Sequence, residues 1–290
     1  MHSAQELVSQ IEALTSLPTV YERVREQLES PDGSVFEVAR LVSADPALTA
    51  RLLRLVNSAM YGYRGEIDNV VRAVQILGLQ QVHDLVLAMS LHAVFAGIRP
   101  AQLDMNRFWR ESVLCALASH AIAQRTGAVA AERSFVMGLL ADIGHLVLFQ
   151  TAPELAAEAR TIAGQGGEPL HLVERRIVGC DFAEVGATLM DQWRVPRAFA
   201  EAIGAQTLPR LGGEHAADAA ALNLASHIVA ADRIGESSEQ VGARIDQTVW
   251  DLLELDAECI AAVREEAELN LAAYLSLFFP SAPRRVARDL

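Results

Sequence analysis

Metal-assisted or general-base chemistry needs imidazole and carboxylate groups gathered at helical or turn spacing, and this chain has eight histidines and thirty-seven acidic residues to draw on. Most of the histidines lack a partner at ligand spacing, as with His83, His92, His171 and His215. His227 precedes Asp232 by five residues, an offset of about 140° on a helix, so the two diverge. The best-placed pair is Asp142 and His145, one helical turn apart in Phe135-Val136-Met137-Gly138-Leu139-Leu140-Ala141-Asp142-Ile143-Gly144-His145. Cys115, Cys180 and Cys259 are odd in number, widely spaced and without a CxxC pair, which argues against a disulfide framework or zinc ribbon and reads as buried free thiols. No GxxxxGK[ST] phosphate loop, GxSxG elbow, HExxH or strand-borne GxGxxG occurs.

The elements that must carry these residues are helical. Apolar residues recur at three- and four-residue spacing over 17–28, 35–42, 48–56, 70–77, 82–95, 108–123, 135–149, 185–193 and 222–234, and no convincing strand pattern appears. The class is all-α. Asp45-Pro46 supplies an N-cap acceptor followed by a residue without an amide hydrogen, while Gly78 and Gly127 suit left-handed positions just past helix ends. The loop expected to be most flexible is Gly164-Gln165-Gly166-Gly167, and composition shifts again at Leu208-Pro209-Arg210-Leu211-Gly212-Gly213, where an acidic C-terminal part begins.

Composition excludes several classes of partner. With 51% hydrophobic and 21% charged residues the chain can bury a large core, and disorder is not expected. The longest mostly apolar run, Leu85 to Ile98, is broken by His92 and is shorter than the ~20 residues a membrane span requires. Met1-His2-Ser3-Ala4-Gln5-Glu6 has neither the basic start nor the apolar stretch of a secretory signal, so the expected location is the cytoplasm. Net charge is −13, and between Glu214 and Asn270 thirteen acids face only Arg233, Arg244 and Arg264, a local balance of −10 that repels nucleic acid. The outline of a helix-turn-helix over 70–94 does not reverse this. From Pro31 to Phe95 five arginines (among them Arg51, Arg54, Arg64 and Arg72) meet six acids, leaving no basic stripe.

Several motifs in order place the chain beside a known family. The run Val38-Ala39-Arg40-Leu41-Val42-Ser43-Ala44-Asp45-Pro46-Ala47-Leu48 is followed by Leu52-Leu53-Arg54-Leu55-Val56-Asn57-Ser58-Ala59-Met60-Tyr61, then Ile67 and Ala73-Val74-Gln75-Ile76-Leu77-Gly78. Further on come Phe108-Trp109-Arg110-Glu111-Ser112, the Gly138-to-Gly144 stretch, Asp181-Phe182-Ala183-Glu184-Val185-Gly186, Trp193-Arg194-Val195-Pro196 and Ala230-Ala231-Asp232-Arg233. Together, over roughly residues 15–235, these resemble the HDOD module, the HD-related output domain of bacterial signalling proteins, similar in fold to the HD phosphohydrolases.

The resemblance implies a degraded metal site. The first histidine of the HD superfamily falls at Glu111, its His-Asp pair at Ala141-Asp142 and its closing aspartate at Asp232, while histidines added by bimetallic members fall near Phe182 and near Ala205-Gln206. A methyl group at 141 cannot ligate, and two or three carboxylates would hold at most a hard cation such as magnesium, weakly. His145 lies on the face of the missing ligand, whereas His120, nine residues past Glu111, is turned by about 900° and faces the other way. If Asp142 and Asp232 are inside, they should accept backbone amides or pair with arginine.

The expected protein is therefore an all-α, catalytically inactive signalling module without cofactor or bound metal. An HDOD module spans 15–213, comprising an N-terminal helical lobe (1–100) and an HD-like lobe (103–213), and acidic helices over 214–290 complete the second lobe. Its partners are other signalling proteins or a small regulatory nucleotide, with neither nucleic acid nor membrane, and Asn57, Tyr61 and Tyr63 form a candidate interaction surface. The competing expectation is a degenerate phosphohydrolase with a divalent ion on Glu111, Asp142 and Asp232, helped by His145.

Overall fold

A computed structural model of the protein describes residues 1–11, 17–58, 60–63, 65–95 and 98–279. Arg64, the side chain of His92 and residues 280–290 of the expected acidic segment lie outside these. Among the described residues all regular structure is helical, as periodicity implies.

The first lobe packs α2 (Thr19–Glu29), α3 (Val35–Ser43), α4 (Pro46–Val56), α5 (Val70–Leu77) and α6 (Leu79–Val94) around Tyr21, Val24, Val38, Leu52, Leu55 and Val74, all shielded from solvent. Local chemistry sets the boundaries. Asp45 Oδ1 accepts from the amides of Ala47 and Leu48 at 2.8 and 3.0 Å, starting α4 where the Asp-Pro pair predicts. Gly78 has the positive φ its position requires, but its ψ of 162° is extended rather than left-handed helical, so the chain passes straight from α5 into α6.

The second lobe is organised on α7 (Met105–Thr126), ended by left-handed Gly127. It packs against α8 (Ala131–Leu140), α14 (Ala216–Ile234) and α17 (Cys259–Phe278). Around this centre lie α9 (Ile143–Thr151), α10 (Pro153–Gly166), α11 (Leu170–Ile177), α12 (Phe182–Gln192), α13 (Arg197–Ala205), α15 (Ser238–Arg244) and α16 (Gln247–Leu253). The single helix expected over 135–149 is two, because the chain turns at Ala141-Asp142 between α8 and α9. That turn lies inside an apolar stretch, Ala131–Thr151, which by length and hydropathy alone could cross a membrane; 83% of its most apolar 18-residue window is buried within the protein.

The lobe boundary also needs adjusting. The expected first lobe began at residue 1, but α1 (Ala4–Ser9) packs on α9 and α12 of the second lobe, and the His2 amide donates to the Val178 carbonyl at 2.7 Å. Conversely α17 reaches α4 and α6, and Tyr274 and Ser58 hydroxyls hydrogen-bond at 2.8 Å. The apolar core runs without interruption through both lobes.

Candidate functional site

Where α7, the α8/α9 turn, α10, α12 and α14 converge, a cleft of about 660 Å³ opens, and Glu111, Asp142 and His145 all line it. Its anionic centre is Glu111. Asp104 caps α7 by accepting from the amides of Asn106 and Arg107, and Arg107, one turn before Glu111, donates through Nε to Glu111 Oε1 at 2.9 Å. From α14, Arg233 grips the same carboxylate with two parallel hydrogen bonds, Nε to Oε1 at 3.1 Å and Nη2 to Oε2 at 2.6 Å. A side chain only 16% exposed is thus claimed by two guanidinium groups.

Asp142 sits half-buried at the turn before α9, and among the described residues no donor reaches its carboxylate. Burial raises its pKa, an effect that the charges of His145 and Arg233 oppose. The imidazole of His145 lies flat against Phe182, ring centroids 4.2 Å apart, and its Nδ1 is 3.2 Å from Glu174 Oε1 but off the line of a hydrogen bond. Glu174 is itself buried, and its other oxygen accepts from the Phe182 amide at 3.1 Å. Gly144 makes this arrangement possible: a Cβ there would lie 1.9 Å from the Phe182 carbonyl oxygen, so only glycine lets α9 approach the start of α12 so closely. Arg160, from α10, completes the wall with its guanidinium 4.8 Å above the Phe149 ring.

Asp232 does not join this group. Its carboxylate is turned out of the cleft, 3.7 Å from Arg110 and 3.8 Å from Arg264. Adjacent residues on a helix differ by about 100°, and α14 presents Arg233, not Asp232, to the cleft. The donor set expected for a divalent ion is therefore disassembled: one carboxylate is saturated by arginines, one faces elsewhere, and only Asp142 is left. Among the described residues no group of three or more His, Cys, Asp or Glu side chains has metal-binding geometry. The residues present do not fit the metal that the HD fold implies.

A second chamber of about 410 Å³ shares Leu170, Phe182, Ser226 and Ala230 with the first and is bounded further by His171, Gln206, Asn223 and His227. His171 did not stand out in the sequence as a site residue, Gln206 did so only through the family resemblance, and His227 was set aside for its spacing from Asp232. Burial lowers the pKa of both His171 and His227. Gln206, near which the resemblance places an added histidine of bimetallic members, donates from Nε2 to the Ala141 and Ile203 carbonyls at 2.8 and 3.0 Å. The amide bridges the two positions from which ligands are missing.

The model of the HDOD domain matches residues 14–209, more than half of the chain. The chain belongs to the HDOD family. Of solved structures, an HDOD protein from Geobacter sulfurreducens superposes with a TM-score of 0.74 over 95% of this chain and 97% of its own, at 23% identity. A protein from Shewanella amazonensis described as a candidate phosphohydrolase gives 0.69 over 93% and 96%, at 26% identity. Among curated proteins, one of uncharacterised function from Treponema pallidum is 26% identical over 195 residues, 67% of this chain but only 37% of that relative. This HDOD chain thus spans well under half the length of its curated relative. The Geobacter likeness covers more of this chain than the 14–209 family match does.

The candidate interaction surface of the first lobe is more structural than its sequence suggests. Asn57 pins the loop after α4, donating to the Leu53 and Ile67 carbonyls and accepting from the Ile67 amide, each at 2.8 Å. Tyr61 is half-buried and accepts from Gln81 Nε2 at 3.4 Å, its phenol pKa raised by burial. Tyr63, stacked on Tyr61 with centroids 6.2 Å apart, is exposed, as is Asn57. The thiols of Cys115 and Cys180 are buried and pushed up to about 12 by desolvation, while Cys259 is half-buried.

Proposed function

We propose that this HDOD protein is a non-catalytic regulatory module that works by binding a signalling protein or a small regulatory ligand. The observation that carries the reading is the double arginine grip on Glu111. Releasing that carboxylate to a metal would strand Arg107 and Arg233 beside a dication, so the cation-binding role of position 111 has been exchanged for an internal ion pair. Metal-activated hydrolysis needs three or so protein donors and an open position for water, and beside the arginine-held Glu111 the cleft offers only Asp142 and the His145 imidazole. What remains is a preformed, arginine-rimmed concavity on a rigid helical frame, a shape suited to recognition.

A second reading, a degenerate phosphohydrolase, draws support from the name and 26% identity of the Shewanella relative. Elemental analysis of protein purified without chelators separates the two. Substoichiometric transition metal, unchanged in Asp142→Ala, is the expected outcome. Near-stoichiometric metal that disappears in Asp142→Ala, together with turnover of phosphodiester or nucleotide substrates, would establish the second reading instead.

A further inference from the structure

The smaller chamber has a hydrogen-bonding polarity that the vestigial metal position does not explain. Gln206 is 2% exposed, and its Nε2 is committed to two carbonyls, which fixes the orientation of the amide because a carbonyl can only accept. Its Oε1 is consequently an acceptor, buried and without a partner among the described residues. Asn223 donates from Nδ2 to the Gln206 carbonyl at 2.7 Å, which leaves its Oδ1 as the second acceptor. In His227, Nδ1 lies 2.8 Å from the Asn223 carbonyl and must carry the hydrogen; burial lowers the pKa of the ring, and in its neutral form Nε2 is the third. Gln206, Asn223 and His227 thus line one cavity, and of their three acceptors Gln206 Oε1 is the one buried without a partner among the described residues.

The remaining walls define the rest of the ligand. Phe182, braced from the far side by His145, contributes an aromatic surface, and Leu170, Leu208 and Val249 are apolar. The wall's charged groups are Asp246, whose Oδ1 caps α16 through the Thr248 amide at 2.8 Å, Arg244, paired with Glu236, and Arg210. A flat body with N–H groups on its edge matches the aromatic and acceptor-bearing part of this lining, and about 410 Å³ falls within the usual range for small-molecule sites.

We propose that this chamber binds a planar heteroaromatic ring bearing exocyclic N–H donors, the chemistry of an aminopurine or aminopyrimidine base. The proposal rests on the binding-module reading and specifies the kind of ligand that module would sense. Isothermal titration of the full chain with adenosine and with guanosine, each paired with its analogue dimethylated on the exocyclic amine, tests it. At least one nucleoside should bind, its dimethylated analogue at least about tenfold more weakly, since that analogue leaves the buried acceptors unpaired. His227→Phe should weaken binding by a similar factor, and Leu211→Ser, at an exposed residue outside the chamber, should not. Absence of heat for both nucleosides at millimolar concentration, or equal binding of parent and dimethylated compounds, would overturn the proposal. The parent-to-analogue comparison uses the unaltered protein and so holds even if His227→Phe folds poorly. A silent titration beside a metal-free protein would remove the base site alone, whereas stoichiometric metal with turnover would remove the regulatory reading.

Discussion

Replacing Gly144 by alanine should unsettle the wall shared by both chambers. The added methyl would stand 1.9 Å from the Phe182 carbonyl oxygen and 3.0 Å from the Gly186 amide nitrogen, whereas real Cβ contacts stay beyond 3.0 Å. The helices must therefore part by at least 3.0 − 1.9 = 1.1 Å, and because both sides of the clash are backbone no side-chain rotation can relieve it. Overpacking of this kind costs about 1–3 kcal/mol, and a collision with main chain belongs near the upper end. Alanine within α9 returns about 1 kcal/mol of helix propensity, leaving a net loss of about 1–2 kcal/mol. For a chain of this size that is a fall in Tm of about 2–3 °C, read by differential scanning calorimetry. Gly164→Ala in α10 is the control: its Cβ would meet nothing within 4 Å, so the same substitution should leave Tm unchanged or slightly raised. A Gly144→Ala protein melting with the wild type would refute the claim that close approach of α9 to α12 sets the geometry of the site.

Other perturbations probe the remaining contacts. In a double-mutant cycle of Glu111→Ala and Arg233→Ala, followed by urea unfolding, the coupling should be about 1 kcal/mol, because the bidentate geometry is good but Arg233 is 42% exposed and solvent screens the pair; coupling indistinguishable from zero would mean the grip is incidental. Stability should also fall on acidification from about pH 7 to about pH 5. Burial holds His120 and His227 below the ordinary 6.5, so the unfolded chain takes up protons first; the folded state is favoured above 6.5 and loses ground as pH drops toward the depressed values. His120→Leu should flatten that slope, and an unchanged slope would contradict the assignment.

Much of the frame was legible in the sequence because its signals are local. The 70–77 repeat of apolar residues coincides with α5, and the Asp45 carboxylate caps α4 as the Asp-Pro pair implied. The break at Ala141-Asp142 left no trace, since neither glycine nor proline marks it and the residues on both sides are uniformly apolar; tertiary packing makes the turn. At the site, family motifs led to Glu111, Asp142 and His145, which do share a cleft. They could not give the rotation of α14, which decides whether Asp232 or Arg233 faces inward. The sequence held a usable hint in Arg107, four residues before Glu111, because that spacing already pairs the two on one helix face. The second chamber had little such signal: the resemblance reached Ala205-Gln206, but Asn223 and His227 are ordinary helical residues until α13 and α14 cross.

The exchange of terminal helices between lobes has a consequence for how this molecule could transmit a signal. With α1 docked on α9 and α12, and α17 spanning back to α4 and α6, no single cut near residue 100 yields two self-sufficient halves. Each fragment would expose a groove that the other's outermost segment normally fills. Melting should accordingly be one cooperative event, and a strain imposed at either end of the polypeptide is delivered directly to the opposite half rather than absorbed in a hinge.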